Sequence, residues 1–221
     1  MAKYMIHAYP KRMWYVEQYL IPSMLKQGID KNNIIIYNDS KGEGNLRSCM
    51  NAFASVDDDN NGTWHLQDDV CICKDFKERT EFYDHGIVTG FCSLFYDGDI
   101  LEKRGAVKRE NMWFSFPCIR IPNQYARECS YWVLNYVIGN PIYKDKWEKG
   151  VNDDWAFRLW LREHHKDEIA LNLAPNLVDH IDYLIGGGSG GQRKRPVRAL
   201  YWTDNDLVSK LEEEINGRER N

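Results

Sequence analysis

The sequence contains no apolar run approaching the roughly 20 residues that a membrane-crossing helix requires. Met1 to Ile6 is too short and polar to read as a secretory leader. The expectation is a cytoplasmic protein with no membrane span. No internal repeat appears, which sets aside solenoids and propellers. Charge is nearly balanced: 29 Lys and Arg against 33 Asp and Glu leave a formal net charge of −4. That excludes whole-surface attraction to nucleic acid or anionic membrane, so any basic site must be local. The six cysteines, at positions 49, 71, 73, 92, 118 and 129, are scattered, and only Cys71 and Cys73 lie close together. Neither a paired zinc spacing nor a secreted disulfide framework fits, and the thiols read as reduced and mostly buried. Nor does a glycine-rich phosphate loop follow the first apolar run, which weighs against nucleotidyl transfer.

What is present is the composition of a globular chain. Hydrophobic residues make up 43% and charged residues 28% of 221, enough for one self-sufficient core. Tyr4 to Ala8 reads as a buried strand, and Met13, Val16, Leu20 and Met24 recur at helical spacing up to Gly28, with Pro22 expected to disturb that helix. Ile34 to Tyr37 is a second strand. Leu46, Cys49, Met50 and Phe53 mark a second helix, and Thr63 to Leu66 a third strand. This alternation favours parallel strands with right-handed crossovers and a ligand site at their carboxyl ends. Further on, helices are expected over Lys74–Asp84, from Asn123 as cap to about Val137, from near Asn152 with Ala156, Leu159 and Trp160 buried, and over Leu207–Ile215. Strands are expected over Ile87–Phe95 and Ile169–Leu173, and an extended segment over Met112–Ile121. Ile185 to Gln192 is so glycine-rich that it reads as a mobile loop or an inserted linker.

The sharpest chemical signal is Trp64-His65-Leu66-Gln67-Asp68-Asp69-Val70, an apolar strand delivering two carboxylates at its end. Such carboxylates are costly to bury unless paired or metal-bound, and they suit a hard cation such as Mg²⁺ or Mn²⁺. Asp57, Asp59, Asn61 and Gly62 match the first half of a calcium loop, but this stretch enters a strand and places Asp68 where a Glu is needed. His180 can supply a nitrogen ligand, and Asp153-Asp154-Trp155 places carboxylates at a helix start, where one can act as general base. Taken singly, these read first as a surface histidine and as charges complementing a helix dipole.

Their order changes the reading. His7, Tyr9 and Arg12 near a first strand, Asp39 after a second, Asn45 and Arg47 opening a helix, then Gln67-Asp68-Asp69, Asp153-Asp154-Trp155 and a late His180 together resemble the GT-A glycosyltransferases. The acidic step resembles most the Leu-Glu-Asp-Asp version of lipopolysaccharide-modifying and bacteriophage-encoded members. The resemblance implies a Rossmann-like α/β fold, a mixed, mainly parallel sheet flanked by helices in one domain. Residues 1–70 would form the nucleotide-binding half, 71–184 the acceptor and catalytic half, 185–198 a basic loop and 199–221 a C-terminal helix.

The same resemblance implies site roles. Asp69 and His180 would bind the Mn²⁺ or Mg²⁺ that bridges a nucleotide diphosphate, with Asp68 in support. Gln67 departs from the usual acidic residue at the ribose. Asp39 matches a nucleoside contact and Arg47 a residue near the diphosphate. Asp154 matches the general base, with Asp153 as fallback. Arg193, Lys194 and Arg195, with Arg198, follow the glycine-rich stretch and would close on the diphosphate, or belong to a solvated linker. The implied donor is a nucleotide-diphosphate sugar, most simply a UDP-sugar. The implied acceptor is a hydroxyl of a glycan, or of a hydroxymethylated DNA base if the chain is phage-encoded. A nucleotidyltransferase and a non-catalytic nucleotide- or glycan-binding module are the alternatives.

Overall fold

A computed structural model describes residues 2–91, 105–109 (backbone), 116–144, 153–174, 176–185 and 213. Apart from Glu213, the expected helix over Leu207–Ile215 lies outside the described residues, as do the glycine-rich stretch after Ile185 and Arg193, Lys194, Arg195 and Arg198. So do the far end of the strand expected to reach Phe95 and the start of the segment expected from Met112.

The strands are β1 (Lys3–Ala8), β2 (Ile34–Asn38), β3 (Gly62–Gln67), β4 (Val70–Ile72), β5 (Ile87–Thr89), β6 (Gly105–Arg109), β7 (Cys118–Pro122), β8 (Ala170–Ala174) and β9 (Val178–His180). A seven-stranded sheet has the order β2-β1-β3-β7-β5-β8-β6. β1 pairs in parallel with β2 and β3, and β5 with β8, while β7 runs antiparallel to β3 and β5, and β6 to β8. The protein is thus α/β, with a mixed sheet in which β1, β2, β3, β5 and β8 share one direction. The strand-helix alternation of the first third gives the parallel half, as expected from its crossovers.

Side chains alternate across this sheet with period two. Tyr4, Ile6, Ala8, Trp64 and Leu66 join one buried cluster, under the helical segment α1 (Met13–Tyr15), a π turn (Val16–Leu20), α2 (Ile21–Lys26) and α4 (Phe76–Phe82). Met5, Ile119 and Ile121 join the other, under α3 (Asn45–Ala54), α5 (Asn123–Trp132) with its π turn Val133–Val137, and α7 (Asp153–His164). Two short helices, α6 (Pro141–Lys144) and α8 (Asp182–Ile185), complete the described set. The disturbance expected at Pro22 takes the form of the π turn just before it, where the Ile21 N–H reaches the Val16 carbonyl. The widened turn spares the ring a clash with the preceding carbonyls. Gly28, at φ 78°, ends α2 in the left-handed region, as its position after the periodic stretch suggests.

Two local readings need correction. Pro122, not Asn123, occupies the cap of α5; Asn123 is buried, accepts a 2.8 Å bond from Thr63 Oγ1 and donates one of 2.6 Å to Asp59. In α7, Leu159 is only half-buried, and Phe157 and Leu161 join Ala156 and Trp160 in the core. The acidic loop over 57–59 does not converge on a cation: Asp57 pairs with Lys3, Asp58 with Arg127 and Asp59 with Asn61 and Asn123.

Gly90 links the sheet to the segment that carries His180. Its N–H bonds to the Cys118 carbonyl, its carbonyl accepts from Leu177, and the Leu177 carbonyl accepts from Cys73. A Cβ at Gly90 would lie 2.8 Å from Leu177 Cδ1 and 2.9 Å from Cys118 Sγ, both in buried residues. Gly90→Ala is therefore expected to lower stability by about 1–3 kcal/mol through overpacking. Denaturant unfolding checks this, and an unchanged midpoint would show that Leu177 yields freely.

Candidate functional site

β1 and β3 run side by side, and their carboxyl ends release the chain at the same edge of the sheet. After β1, Tyr9 leads into the 3₁₀ turn Pro10–Arg12, which is closed by the Arg12 N–H on the Tyr9 carbonyl at 2.8 Å. After β3, Asp68 and Asp69 form the turn into β4. β4 pairs antiparallel with β9 and sets Val70 opposite His180, while the Ile181 N–H bonds to the Asp69 carbonyl at 2.8 Å. Tyr15 anchors the same turn through its hydroxyl, which donates to the Val70 carbonyl at 2.7 Å.

These backbone constraints assemble a buried ionic cluster. Arg12 Nη1 lies 2.7 Å from Asp68 Oδ1 and 2.6 Å from Asp69 Oδ2, and His180 Nε2 lies 3.1 Å from the same Asp69 oxygen. The Tyr9 N–H donates to Asp68 Oδ2 at 2.6 Å. Both carboxylates are almost wholly buried, Asp68 at 4% and Asp69 at 5% exposure. Burial, reinforced by the neighbouring Asp69 charge, pushes the Asp68 carboxyl up to about 6 despite Arg12 and the Tyr9 amide. Burial also works to raise Asp69, but the His180 hydrogen bond and Arg12 outweigh it and hold that group below its ordinary value. The cluster therefore favours one firmly charged carboxylate beside one that takes up a proton more readily.

Other predicted residues gather at this edge in different states. Asp39 is buried after β2, and its Oδ1 accepts the Glu43 N–H at 2.9 Å, closing the turn into α3. Asn45 and Arg47 are exposed in the first turn of α3. Asn45 lies near enough to Asp153 to favour its charged form, and the start of α7 packs by α3 at the carboxyl edge of the sheet. Asp153 is 6% exposed, and burial, then the charge of Asp154, raises its carboxyl to about 7. Asp154 is half-buried, with its Oδ1 accepting the Trp155 N–H at 2.8 Å; burial raises it too.

Gln67 closes β3 opposite His7. His7 itself turns to a neighbour that the sequence reading passed over: its Nε2 is 2.8 Å from Nδ1 of His65, beside the Phe53 ring. Burial lowers His7 to about 4 and His65 well below the ordinary histidine value, so the pair packs as neutral imidazoles. His65 and Tyr15 carried no sequence signal beyond an alternation of apolar and polar residues.

The donor set bears on whether a cation fits. Among the described residues, no three His, Cys, Asp or Glu side chains converge as a ready-made cage. Yet Asp69 Oδ1 is buried and accepts no hydrogen bond, while Asp69 and His180 stand in contact. One carboxylate and one imidazole suit Mn²⁺ or Mg²⁺ whose remaining positions come from phosphate oxygens and water. Cys71 and Cys73 are buried in the core, and Cys73 bonds Asp75. No helix among the described residues is long and apolar enough to cross a membrane. No family profile matches the sequence, and no curated protein is similar to it.

Proposed function

We propose that the protein is a cation-dependent glycosyltransferase of the GT-A type, moving a sugar from a nucleotide-diphosphate donor to an acceptor hydroxyl. The observation that carries this reading is the cluster of Asp68, Asp69, Arg12 and His180 at the carboxyl ends of parallel β1 and β3, where open α/β sheets bind their ligands. A Mn²⁺ or Mg²⁺ held by Asp69 and His180 would supply charge neutralisation for a departing diphosphate. Asp39, Asn45 and Arg47, gathered after β2 and at the start of α3, are the residues available to position a nucleoside and its phosphates. Asp154 is the carboxylate with access to solvent at the start of α7, and it takes the acceptor hydroxyl proton as the hydroxyl attacks C1 of the sugar. Asp153, buried beside it, accepts the Asp154 N–H at 3.0 Å and holds that helix start in place.

The test is release of nucleoside diphosphate from a panel of UDP-, GDP- and TDP-sugars, with Mn²⁺ and with a chelator. Slow release that needs the cation, without an acceptor present, is expected for at least one donor. Pyrophosphate release from a nucleoside triphosphate instead would reassign the chemistry to nucleotidyl transfer. Binding of a nucleotide sugar without turnover, across acceptor hydroxyls of glycans and hydroxymethylated DNA, would reduce the protein to a binding module.

A further inference from the structure

We propose that Arg12 is a built-in counter-cation, which holds Asp68 and Asp69 together in the cation-free protein and is displaced when a divalent cation enters beside Asp69 and His180. The inference rests on reading those two residues as a cation site, and adds how occupancy of that site is controlled. Two adjacent buried carboxylates without a compensating charge would repel and carry a large desolvation cost. Arg12, itself 6% exposed, compensates both.

The manner of pairing is what points to a stand-in. Arginine characteristically meets a carboxylate through its fork, with two parallel N–H bonds. Here one nitrogen, Nη1, is shared between two different carboxylates, at 2.7 Å from Asp68 Oδ1 and 2.6 Å from Asp69 Oδ2. It acts as a point charge between two anionic oxygens, the position a metal ion takes when it bridges carboxylates. The second oxygen of Asp69 meanwhile stays buried without a hydrogen bond, and His180 already touches the first. Asp69 thus retains unused acceptor capacity at the place where the guanidinium sits.

Two consequences follow. The folded protein does not need the cation to keep its paired carboxylates buried, because Arg12 supplies the charge. The cation in turn must compete with a covalently tethered positive group, so its intrinsic affinity is held down. Removing Arg12 should tighten cation binding, whereas removing a residue that merely supports the fold would weaken it.

The experiment is Mn²⁺ binding without nucleotide, read from the electron paramagnetic resonance signal of the free ion. It compares the full chain with its Arg12→Met, Arg12→Gln and Asp69→Asn variants. Arg12→Met is expected to bind Mn²⁺ at least about 10-fold more tightly than the native chain, because a like charge within contact distance has gone. Asp69→Asn should lose saturable binding. Saturable binding that is equal or weaker in Arg12→Met, and still lost in Asp69→Asn, overturns the counter-cation while leaving the cation site. No saturable binding in either the native chain or Arg12→Met overturns the site reading, and the counter-cation with it. If Arg12→Met does not fold without cation, Arg12→Gln decides: it removes the charge while keeping an N–H donor for the buried carboxylates. Tighter binding than native supports the proposal, and equal or weaker binding overturns it.

Discussion

Asp69→Asn is expected to abolish cation-dependent nucleotide binding while the chain stays folded. The loss in affinity should be about 100-fold or more, since even outer residues around a metal cost 10–100-fold when removed. Asparagine keeps the size of the side chain and a carbonyl oxygen for Arg12 Nη1, now 2.6 Å from the carboxylate, but it removes the negative charge that a divalent cation needs. The fold is spared because the variant leaves Asp68 and Arg12 as a balanced buried pair, still bonded at 2.7 Å and still held by the Tyr9 N–H. The backbone carbonyl of Asp69, which seats Ile181, is untouched. Calorimetry with UDP and Mn²⁺ reads the effect, with circular dichroism as the check on folding. Affinity equal to that of the native chain would take Asp69 out of the cation site. His180→Ala should weaken the same binding by less, because water can replace one neutral ligand.

The sequence makes Asp68 and Asp69 visible because they interrupt an apolar strand, and apolar strands rarely end on two charges without reason. It makes the parallel half of the sheet visible for a similar reason: long, periodic helices separate β1, β2 and β3. What it does not make visible is contact. Arg12 and Asp68 are 56 residues apart, and only the parallel pairing of β1 with β3 brings their ends together. The three-residue strands β4 and β9 are too short to show a period, so Val70 reads as a strand tail and His180 as an isolated polar residue. Their pairing is what seats His180 against Asp69, and before that pairing is known the residue stands out only through resemblance. His65 was hidden for the opposite reason. It sits within a strand buried along almost its whole length, where an imidazole looks like an exception to an apolar pattern, until His7 is found 2.8 Å away.

The two carboxylates that open α7 should separate by their effects, although they are adjacent in sequence and in charge. Asp154→Asn is expected to leave donor affinity nearly unchanged and to lower turnover by roughly 10² to 10⁴, the usual contribution of a general base. Asp153→Asn should keep most of the turnover, because Asp153 is buried at 6% exposure with an oxygen already taken by the Asp154 N–H, out of reach of an acceptor. Its signature lies in stability instead. The folded-state value of Asp153, raised by burial to about 7, stands above the 3.8 of an ordinary Asp, so the folded protein keeps a proton that the unfolded chain releases. Stability from this group is full below about pH 4 and is lost as pH rises to about 7. Asparagine cannot ionise, so Asp153→Asn should remove that decline and leave the chain more stable than native at pH 8, by an amount on the order of a few kcal/mol. Unfolding midpoints of the two proteins at pH 4 and pH 8, set beside single-turnover rates of both variants, decide the assignment. A dead Asp153→Asn with an active Asp154→Asn would move the base by one residue. Full turnover in both, with retention of the donor's anomeric configuration, would leave these carboxylates as charges at a helix start and remove direct attack on C1 with Asp154 as base.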